Sequence, residues 1–298
     1  MRYLYTDGKF HSVEQNNAST MMQAFNYGTA AFEGMKAFWH ADAKNWFIFR
    51  PDQHHARICR SAAYLDIDFK MSEPEFVATI QKLIRKNNVQ EDVYIRPLVF
   101  RNARGVGIGK SSGYGVSIFL DSMPLHSGKE YACCFVSQRR PVDGSYNVKL
   151  AGNYLLSFLA IKEAKARGFE MGILLSTDGY LSEAAVMNMF FARDGKLYTP
   201  SLACGALAGI TRKTIIQLAG EQLGIKVAEG RYRKQQLLSA DEVFFTGTGS
   251  ALNFARQVEK QKFNLKRKDR LALELAQLYH DLTAGKLTQY SEWLVPVL

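Results

Sequence analysis

Val148-Lys149-Leu150-Ala151-Gly152-Asn153-Tyr154 is the stretch of this sequence that says most about its fold and chemistry. Lys149 stands just ahead of an apolar helical pattern, where a lysine can lose enough water to act as an amine nucleophile. Taken alone, such a lysine is more often an ordinary surface residue. Further along the chain, Glu183 supplies a carboxylate that can pair with a protonated pyridine nitrogen, and the Tyr154 phenol can contact a ring hydroxyl. Together the three residue types indicate Schiff-base chemistry on a pyridine cofactor.

Two other segments can bind an anion. Leu207-Ala208-Gly209-Ile210-Thr211-Arg212 opens a helical pattern, so the backbone N–H groups of Ile210 and Thr211 point out of a helix N-terminus, which favours negative charge. Thr246-Gly247-Thr248-Gly249-Ser250 adds a hydroxyl and turn amides. For either segment alone, a plain helix cap or a plain turn is the simpler interpretation.

The glycine-rich run 104–111 and the histidines predict neither a nucleotide nor a metal site. A phosphate loop ending in Gly109-Lys110-Ser111 requires glycine where Arg104 stands, and a strand follows the run. We therefore interpret it as a mobile loop at a strand end. His54 and His55 are adjacent and point in different directions on a helix, so they predict no shared metal.

Length, composition and charge limit the class of protein and the kinds of partner. A chain of 298 residues with 47% hydrophobic and 22% charged residues is typical of a globular protein with two domains. The net charge is +10, and residues 256–270 contribute half of it, with seven basic and two acidic residues. We interpret this stretch as a solvated hairpin, with steering of anionic substrates as a lesser hypothesis. A nucleic-acid partner is not expected, because no basic stripe with interleaved aromatic residues occurs.

The cysteines and the apolar runs predict a cytoplasmic protein. Four cysteines are too few to cross-link a chain of this length, and their spacing fits no metal site. The segment MRYLYTDGKF at residues 1–10 lacks the apolar region of a signal peptide, and no apolar run approaches the ~20 residues of a membrane span. We expect no membrane partner.

Alternating periods of two and 3.6 residues predict two α+β domains, 1–122 and 131–298, joined by a linker at 123–130, with a cleft between the domains. Strands are predicted at 35–40, 45–50, 92–100, 115–121, 131–137, 171–176, 187–193, 196–200 and 242–247. Helices are predicted at 153–168, 211–224 and 271–285, each closed by a glycine, and a further helix follows a capping box of Ser72 and Glu75. Its apolar stripe comprises Phe76, Val77, Ile80, Leu83 and Ile84.

In order and spacing, motifs across nearly the whole chain resemble the class IV pyridoxal-phosphate aminotransferases, of the D-amino acid and branched-chain type. The matching motifs are Tyr27-Gly28-Thr29-Ala30-Ala31-Phe32-Glu33-Gly34, Tyr94-Ile95-Arg96-Pro97-Leu98, Lys149 with Gly152-Asn153-Tyr154, Gly179-Tyr180-Leu181-Ser182-Glu183, Gly209-Ile210-Thr211-Arg212, Ala240-Asp241-Glu242-Val243-Phe244 and Thr246-Gly247-Thr248. The Phe-Glu-Gly and Tyr-Ile-Arg-Pro-Leu strands are typical of the branched-chain branch. The resemblance implies a two-domain α+β fold with a smaller N-terminal domain, a larger C-terminal domain and the cofactor, pyridoxal 5'-phosphate, in the cleft.

The resemblance also implies roles for individual residues. Lys149 is the catalytic residue that bonds covalently to the cofactor, Glu183 pairs with the pyridine nitrogen, and Tyr154 touches the ring oxygen. The residues implied to bind the cofactor phosphate are Arg57, Ile210, Thr211 and Thr248. The residues implied to bind substrate are Tyr94, Gly249 and Ser250 at the α-carboxylate, Arg96 at the distal carboxylate of glutamate, and Tyr27 and Phe32 at the side chain. For Phe32, core packing is an equal alternative.

The implied reaction is ping-pong transamination from a branched-chain or other hydrophobic amino acid to 2-oxoglutarate. A lyase of the same fold, similar to aminodeoxychorismate lyase and releasing pyruvate, is the alternative, and Arg96 argues against it. A homodimer or higher homo-oligomer is expected from the family.

Three departures from the family pattern affect the expected substrate. Met187 stands before Asn188 where the family usually has a glutamate. Leu252-Asn253-Phe254-Ala255-Arg256 replaces an Ile-Thr-Pro-Val-Arg pattern, and we expect loss of the proline to loosen the wall behind the carboxylate turn. Gly249 and Ser250 stand where alanines are usual. The pocket is therefore expected to accept substrates besides valine, leucine and isoleucine.

Overall fold

The computed structural model describes residues 1–108, 113–122 and 127–298. The strands in this part of the chain are β1 (Tyr3–Thr6), β2 (Lys9–Ser12), β3 (Ala30–Phe32), β4 (Met35–His40), β5 (Asn45–Phe49), β6 (Val93–Arg101), β7 (Tyr114–Asp121), β8 (Glu130–Arg140), β9 (Met171–Ser176), β10 (Leu181–Ala184), β11 (Asn188–Arg193), β12 (Lys196–Pro200), β13 (Ala228–Gly230), β14 (Glu242–Gly247), β15 (Ala251–Val258), β16 (Gln261–Lys262) and β17 (Leu294–Pro296). The α-helices are α1 (Gln23–Tyr27), α2 (Pro51–Ala63), α3 (Glu73–Asn87), α4 (Tyr154–Ala166), α5 (Ile210–Leu223), α6 (Lys234–Leu238) and α7 (Leu271–Thr283). Short 3₁₀ helices lie at Val13–Gln15, Leu202–Cys204 and Thr288–Trp293.

The chain folds into two compact units. Unit 1 comprises Met1–Pro124, Val148–Gly152 and Leu282–Leu298, and unit 2 comprises Leu125–Asn147 and Asn153–Asp281. Two short segments that follow residue 131 thus belong to unit 1, because Leu150 bridges to Ala31 and β17 pairs with β5. The domain boundaries given above stay a prediction. Residues 123–126 of the predicted linker lie outside the described residues, as do residues 109–111 of the glycine-rich run.

Unit 1 is built on one antiparallel sheet. Among the described residues its strand order is β17-β5-β4-β6-β7-β1-β2, and β3 pairs with β6. Helix α3 begins at the predicted capping box, in which the Ser72 side chain accepts from the Glu75 amide and Glu75 accepts from the Ser72 amide. Its buried residues are Phe76, Ile80, Leu83 and Ile84, whereas Val77 is only half-buried at the edge of the stripe. These side chains pack with Ile48, Ile95 and Ile118 of the sheet into one core.

Unit 2 is built on a mixed sheet. The strand order in the described part of the chain is β10-β9-β8-β15-β14-β11-β12-β13, with β16 paired to β15. The β8–β9, β8–β15 and β12–β13 pairs are parallel. Parallel neighbours need crossover connections, and α4 supplies the one between β8 and β9. Strand β9 is buried along its whole length, as is typical of a strand covered on both faces.

Most predicted elements are confirmed, and the missed ones are short or irregular in pattern. Strands β4, β9, β12 and β14 have the predicted bounds, and α5 ends at Gly224 in the left-handed conformation. The β11–β12 hairpin turns at Asp194 and Gly195, both with positive φ. The sequence reading missed β1, β2, β3, β10, β13, β15, β16 and β17. None of the helices in the described residues has both the length and the apolar composition needed to cross a membrane.

The basic stretch 256–270 runs from the end of β15 through β16 to the start of α7. Several of its cations are paired in unit 2. Arg256 lies 2.7 Å from Glu170, Arg267 lies 2.8 Å from Asp269, and Arg270 lies 3.4 Å from buried Glu242. The paired cations show that part of the local excess of charge is offset within the unit. The steering hypothesis stays a prediction.

Candidate active site

Lys149 belongs to unit 1 and is fixed there by its backbone. Its carbonyl accepts a 3.1 Å hydrogen bond from the Phe32 amide, and its own amide donates to Ser61 Oγ at 3.0 Å. The next residue, Leu150, bridges to Ala31. The segment that carries the lysine is therefore held between the β3 region and helix α2.

The Lys149 side chain lies among aromatic and charged groups of unit 1. Its Nζ is 4.5 Å from the centroid of the Phe32 ring, and the Arg96 guanidinium is 4.6 Å from the same centroid. Burial and the nearby Arg57 cation lower the pKa of Lys149 to about 8, although Glu33 opposes the shift. Because of this lowered pKa, a larger fraction of Lys149 is neutral near neutral pH than for an ordinary lysine, and nucleophilic and general-base chemistry both require the neutral amine.

Arg57 makes a buried ion pair with Glu33. Arg57 Nε and Nη2 each donate a 2.7 Å hydrogen bond to a different oxygen of the carboxylate. His54 Nδ1 lies 2.7 Å from Glu33 Oε2. Burial alone would raise the pKa of Glu33, but Arg57 and His54 hold it at about 2, so the carboxylate is ionised and His54 must be the donor. Burial also lowers the pKa of His54, which keeps the imidazole neutral.

Tyr94 and Arg96 extend from β6 in unit 1. Arg96 Nη2 donates a 2.9 Å hydrogen bond to Tyr94 Oη. Gly34 is required beside them, because a Cβ at that position would overlap the Tyr94 hydroxyl. Tyr27, at the end of α1, accepts a 3.1 Å hydrogen bond from the Gly107 amide. Phe32 is buried, and its ring faces the Lys149 and Arg96 cations, so it contacts predicted site residues rather than only core.

Glu183 lies in β10 of unit 2 and is also buried. Its Oε1 is 3.1 Å from Arg140 Nη2. Its Oε2 accepts from Asn188 Nδ2 at 3.0 Å and from the Leu207 amide at 3.1 Å. Buried charges of this kind persist only when paired and hydrogen-bonded, and Glu183 has both kinds of partner.

The first turn of α5 has no side-chain cap at its N-terminus. Gly209 is the N-cap and has no side chain to accept from the amides of Ile210 and Thr211, both of which are buried residues. A Cβ at Gly209 would overlap Asn188 Oδ1, so glycine is the residue that lets the helix start approach Asn188. Among the described residues, the Thr246 Oγ1 hydroxyl is buried and has no hydrogen-bond partner.

Thr248, Gly249 and Ser250 form the half-buried turn of the β14–β15 hairpin. The Ser250 amide donates to the Gly247 carbonyl at 3.0 Å, which closes the turn. Tyr154 is the first residue of α4 and is half-buried. The structure thus places Tyr154, Glu183, Ile210, Thr211, Thr248, Gly249 and Ser250 in unit 2, and Tyr27, Phe32, Arg57, Tyr94, Arg96 and Lys149 in unit 1.

Two of the departures from the family pattern, Met187 and the segment 252–256, contact each other in unit 2. Asn253 Nδ2 donates to Met187 Sδ at 3.8 Å, and Asn253 Oδ1 accepts from the Lys129 amide at 2.9 Å. The Phe254 amide donates a 2.9 Å hydrogen bond to the Lys129 carbonyl, which a proline could not do. Residues 251–255 are buried in β15, so this segment gains a hydrogen bond where the sequence reading expected a looser wall.

Comparison with known proteins decides the family. The family model described as Amino-transferase class IV matches residues 30–258. The chain belongs to the class IV aminotransferases. This class IV aminotransferase is similar to a probable branched-chain-amino-acid aminotransferase of Aquifex aeolicus (strain VF5), with 32% identity over 302 residues that cover 100% of this chain and 97% of that protein. The predicted family and enzyme class are confirmed.

Solved structures confirm the predicted fold class. A branched-chain aminotransferase from Thermoproteus uzoniensis with norvaline has a TM-score of 0.93 and 30% identity, covering 99% of each chain. A branched-chain amino acid aminotransferase from Thermobaculum terrenum, solved in its PLP-form, has a TM-score of 0.92 and 26% identity, covering 100% of this chain and 98% of that chain. Class IV aminotransferases use pyridoxal phosphate, as the resemblance implied.

The residues present fit this cofactor. An aldehyde needs a neutral amine, and Lys149 has a pKa of about 8. A protonated pyridine nitrogen needs an ionised, fixed carboxylate, which Glu183 provides. A phosphate is bound by cations and by backbone amides that lack a partner side chain. Unit 1 offers the Arg57 cation, and unit 2 offers the uncapped first turn of α5. The unused Thr246 hydroxyl is a further donor that a polar ligand can satisfy.

Four further residues had no predicted role. Glu33, Ser61 and Arg140 contact the predicted site residues Arg57, Lys149 and Glu183, and His54 contacts Glu33. Glu33 lies inside one of the matching motifs, and a lone carboxylate directly after the apolar run Ala30-Ala31-Phe32 was the signal that could have found it. His54 was considered only as a metal ligand. Arg140 stands in a run of polar residues at the end of β8, where its sequence surroundings do not distinguish it from a surface arginine.

Proposed function

We propose that this class IV aminotransferase transfers the amino group of a branched-chain or other hydrophobic amino acid to 2-oxoglutarate by a ping-pong mechanism. The observation that carries the proposal is Lys149, a buried amine with a pKa of about 8 that lies beside Phe32 and Arg96. Relatives named branched-chain-amino-acid aminotransferases, such as the Aquifex aeolicus protein, support the substrate class.

In the proposed site, Lys149 bonds to pyridoxal phosphate and Arg57 binds its phosphate. Glu183 pairs with the pyridine nitrogen, and Tyr154 touches the ring oxygen. Ile210, Thr211 and Thr248 provide further phosphate donors. The uncapped first turn of α5 and the ionised, hydrogen-bonded Glu183 support these assignments.

Pyridoxal phosphate supplies an electron sink that acidifies the α-carbon of the bound amino acid. With the cofactor bound, the neutral Lys149 amine would be the group that accepts the α-proton of the substrate and then acts as the proton donor. Arg140 and Asn188 fix the two carboxylate oxygens of Glu183. The fixed carboxylate would hold the protonated pyridine nitrogen in place. The net exchange converts an amino acid and 2-oxoglutarate into a 2-oxo acid and glutamate.

Substrate selection is proposed to rest on a polar group and an aromatic wall. Arg96 donates to Tyr94 and is proposed to meet the distal carboxylate of glutamate and 2-oxoglutarate. Tyr94, Gly249 and Ser250 are proposed to bind the α-carboxylate. Tyr27 and Phe32 are proposed to line the side-chain pocket. The same residues would then bind the hydrophobic amino acid in one half-reaction and 2-oxoglutarate in the other.

The lyase alternative is not favoured, because relatives that match this chain over nearly its whole length, such as those of Aquifex aeolicus and Salmonella typhimurium, are named branched-chain-amino-acid aminotransferases. A lyase would release pyruvate from aminodeoxychorismate without an amino acceptor. Release of pyruvate by the purified enzyme in the absence of any 2-oxo acid would therefore overturn the proposed transamination.

A homodimer in the cytoplasm is proposed for the assembly and its compartment. Helix α4 exposes Leu155, Phe158 and Leu159 on one stripe, and such an apolar surface favours contact with a second copy of the chain. The cysteines Cys59, Cys133, Cys134 and Cys204 are free thiols, which is typical of a reducing compartment. Light scattering of the wild type and a Phe158→Glu variant tests the dimer, which we expect the variant to weaken.

The experiment that tests the function separates the two half-reactions. The holoenzyme is mixed with leucine, valine, isoleucine or phenylalanine without an acceptor, and released 2-oxo acid is measured. We expect one equivalent per site, and continuous turnover only after 2-oxoglutarate is added. The Lys149→Met variant is the matched control. Turnover that needs both substrates at once, or none with any hydrophobic donor, would contradict the proposal.

A further inference from the structure

The Glu33 carboxylate contacts Arg57 and His54, and it is the most completely buried of these three side chains. It has no exposed surface, and both of its oxygens accept 2.7 Å hydrogen bonds from Arg57. His54 donates a third bond to one of these oxygens. Two parallel bonds to one guanidinium fix its plane as well as its distance, which a single bond does not. Arg57 therefore has its orientation set by Glu33.

We propose that Glu33 is a positioning residue for cofactor binding: its carboxylate orients the Arg57 guanidinium toward the phosphate of pyridoxal phosphate. The inference rests on the proposed function, in which Arg57 binds that phosphate. Glu33 itself touches Arg57 and His54, and it acts on the cofactor through Arg57. His54 supports the carboxylate from the side by donating to Oε2.

The backbone joins this carboxylate to the reactive lysine. Phe32, the neighbour of Glu33, donates its amide to the Lys149 carbonyl at 3.1 Å. The Lys149 amide donates to Ser61 Oγ at 3.0 Å, and Ser61 Oγ donates to the Arg57 carbonyl at 2.9 Å. These bonds and the Glu33–Arg57 pair form a closed ring. The ring keeps the phosphate-binding arginine and the cofactor-binding lysine at a fixed separation within unit 1.

A purely structural role for the pair is the competing explanation. Unit 2 contains another buried pair of an arginine and a glutamate, in which a single longer contact of 3.4 Å joins Arg270 Nε to Glu242 Oε2. Neither residue of that pair is a proposed cofactor or substrate residue. Breaking either pair leaves a buried arginine without its carboxylate, so both variants lose stability. Only the Glu33 variant is expected to lose affinity for phosphate.

The test compares two ligands that differ only in the phosphate. Apoenzymes of wild type, Glu33→Gln and Glu242→Gln are titrated with pyridoxal phosphate and with pyridoxal, and dissociation constants are measured by absorbance and fluorescence. We expect Glu33→Gln to raise the ratio of the pyridoxal phosphate constant to the pyridoxal constant about tenfold or more, since a charge-assisted hydrogen bond is lost. Any change in the Lys149 amine affects both ligands and cancels in the ratio. Glu242→Gln should keep the wild-type ratio.

Circular dichroism and thermal unfolding show whether Glu33→Gln folds. If it does not, a second variant replaces it in the test. Glu33→Asp keeps the charge but shortens the side chain by one methylene, and we expect an intermediate ratio. A wild-type ratio in the variant that folds would overturn the proposal, as would an equal rise in Glu242→Gln. If wild-type apoenzyme does not bind pyridoxal phosphate at all, the proposed function has failed, and this result is distinct from an unchanged ratio.

Discussion

Arg140 Nη2 lies 3.1 Å from Glu183 Oε1, and both side chains are buried in unit 2. Arg140 also donates to Ser157 Oγ and packs over the Tyr146 ring. Removal of Arg140 would take this cation away from the Glu183 carboxylate, which is buried. The pair thus links the stability of unit 2 to the charge of the proposed pyridine partner.

We predict that Arg140→Met lowers the free energy of unfolding of the apoenzyme by about 3 kcal/mol, as expected when one member of a buried ion pair is removed. Urea unfolding measures this change. Arg267→Gln, which removes an exposed pair with Asp269, is the control and should leave unfolding unchanged. An Arg140→Met protein as stable as the wild type would show that the pair contributes nothing.

A second prediction concerns the start of α5. Gly209→Ala places a methyl group against Asn188 Oδ1, which displaces a donor to Glu183. We expect a loss of about 1–3 kcal/mol in unfolding free energy and weaker binding of pyridoxal phosphate. Gly220→Ala in the same helix meets open space and should stabilise the protein by about 0.5–1 kcal/mol. Equal effects of the two substitutions would contradict the overlap at Gly209.

The sequence predicts those helices and strands whose position is determined by a local pattern of residues. The strand pattern of Met35–His40 and the capping box at Ser72 are local features of the sequence, and both elements form where predicted. Strand β9 was found from its continuous apolar run, whereas β15 was missed because its buried run 251–255 neither alternates nor is wholly apolar, since it includes the buried Asn253.

The site residues divide in the same way. Lys149 and Glu183 stand in motifs, and their burial fits the assigned chemistry. Glu33 and Arg57 are 24 residues apart and Arg140 and Glu183 are farther, so no local spacing predicts either pair. Pairs of this kind are set by sheet order and helix docking, which sequence periodicity does not encode.

The lowered pKa of Lys149 predicts a pH-dependent stability. Burial moves this pKa from 10.5 to about 8, so between these values the unfolded lysine holds a proton that the folded lysine has lost. Stability contributed by Lys149 therefore rises with pH across this interval, by up to about 3 kcal/mol. We expect the unfolding free energy of wild-type apoenzyme to rise relative to Lys149→Met from pH 8 to pH 10. A constant difference between the two proteins would show that Lys149 titrates normally.

A fourth prediction separates the two substrates at Arg96. Its guanidinium is proposed to meet only the distal carboxylate, so Arg96→Gln should lower kcat/KM for 2-oxoglutarate by tenfold or more, about 1.4 kcal/mol or above. The half-reaction with leucine should change much less. Steady-state kinetics with each substrate varied in turn measures both effects. Equal losses for leucine and 2-oxoglutarate would indicate a general role in folding or in cofactor binding.

Lys149 is proposed to be the lysine that bonds to pyridoxal phosphate. The most direct measurement is treatment of the yellow holoenzyme with borohydride, which makes the bond permanent, followed by peptide mass mapping. Lys36, another buried lysine of unit 1 whose pKa is lowered by burial, is the internal reference. We predict a phosphopyridoxyl group on Lys149 and none on Lys36. A label on Lys36 or any other lysine, or a protein that binds no chromophore, would contradict it.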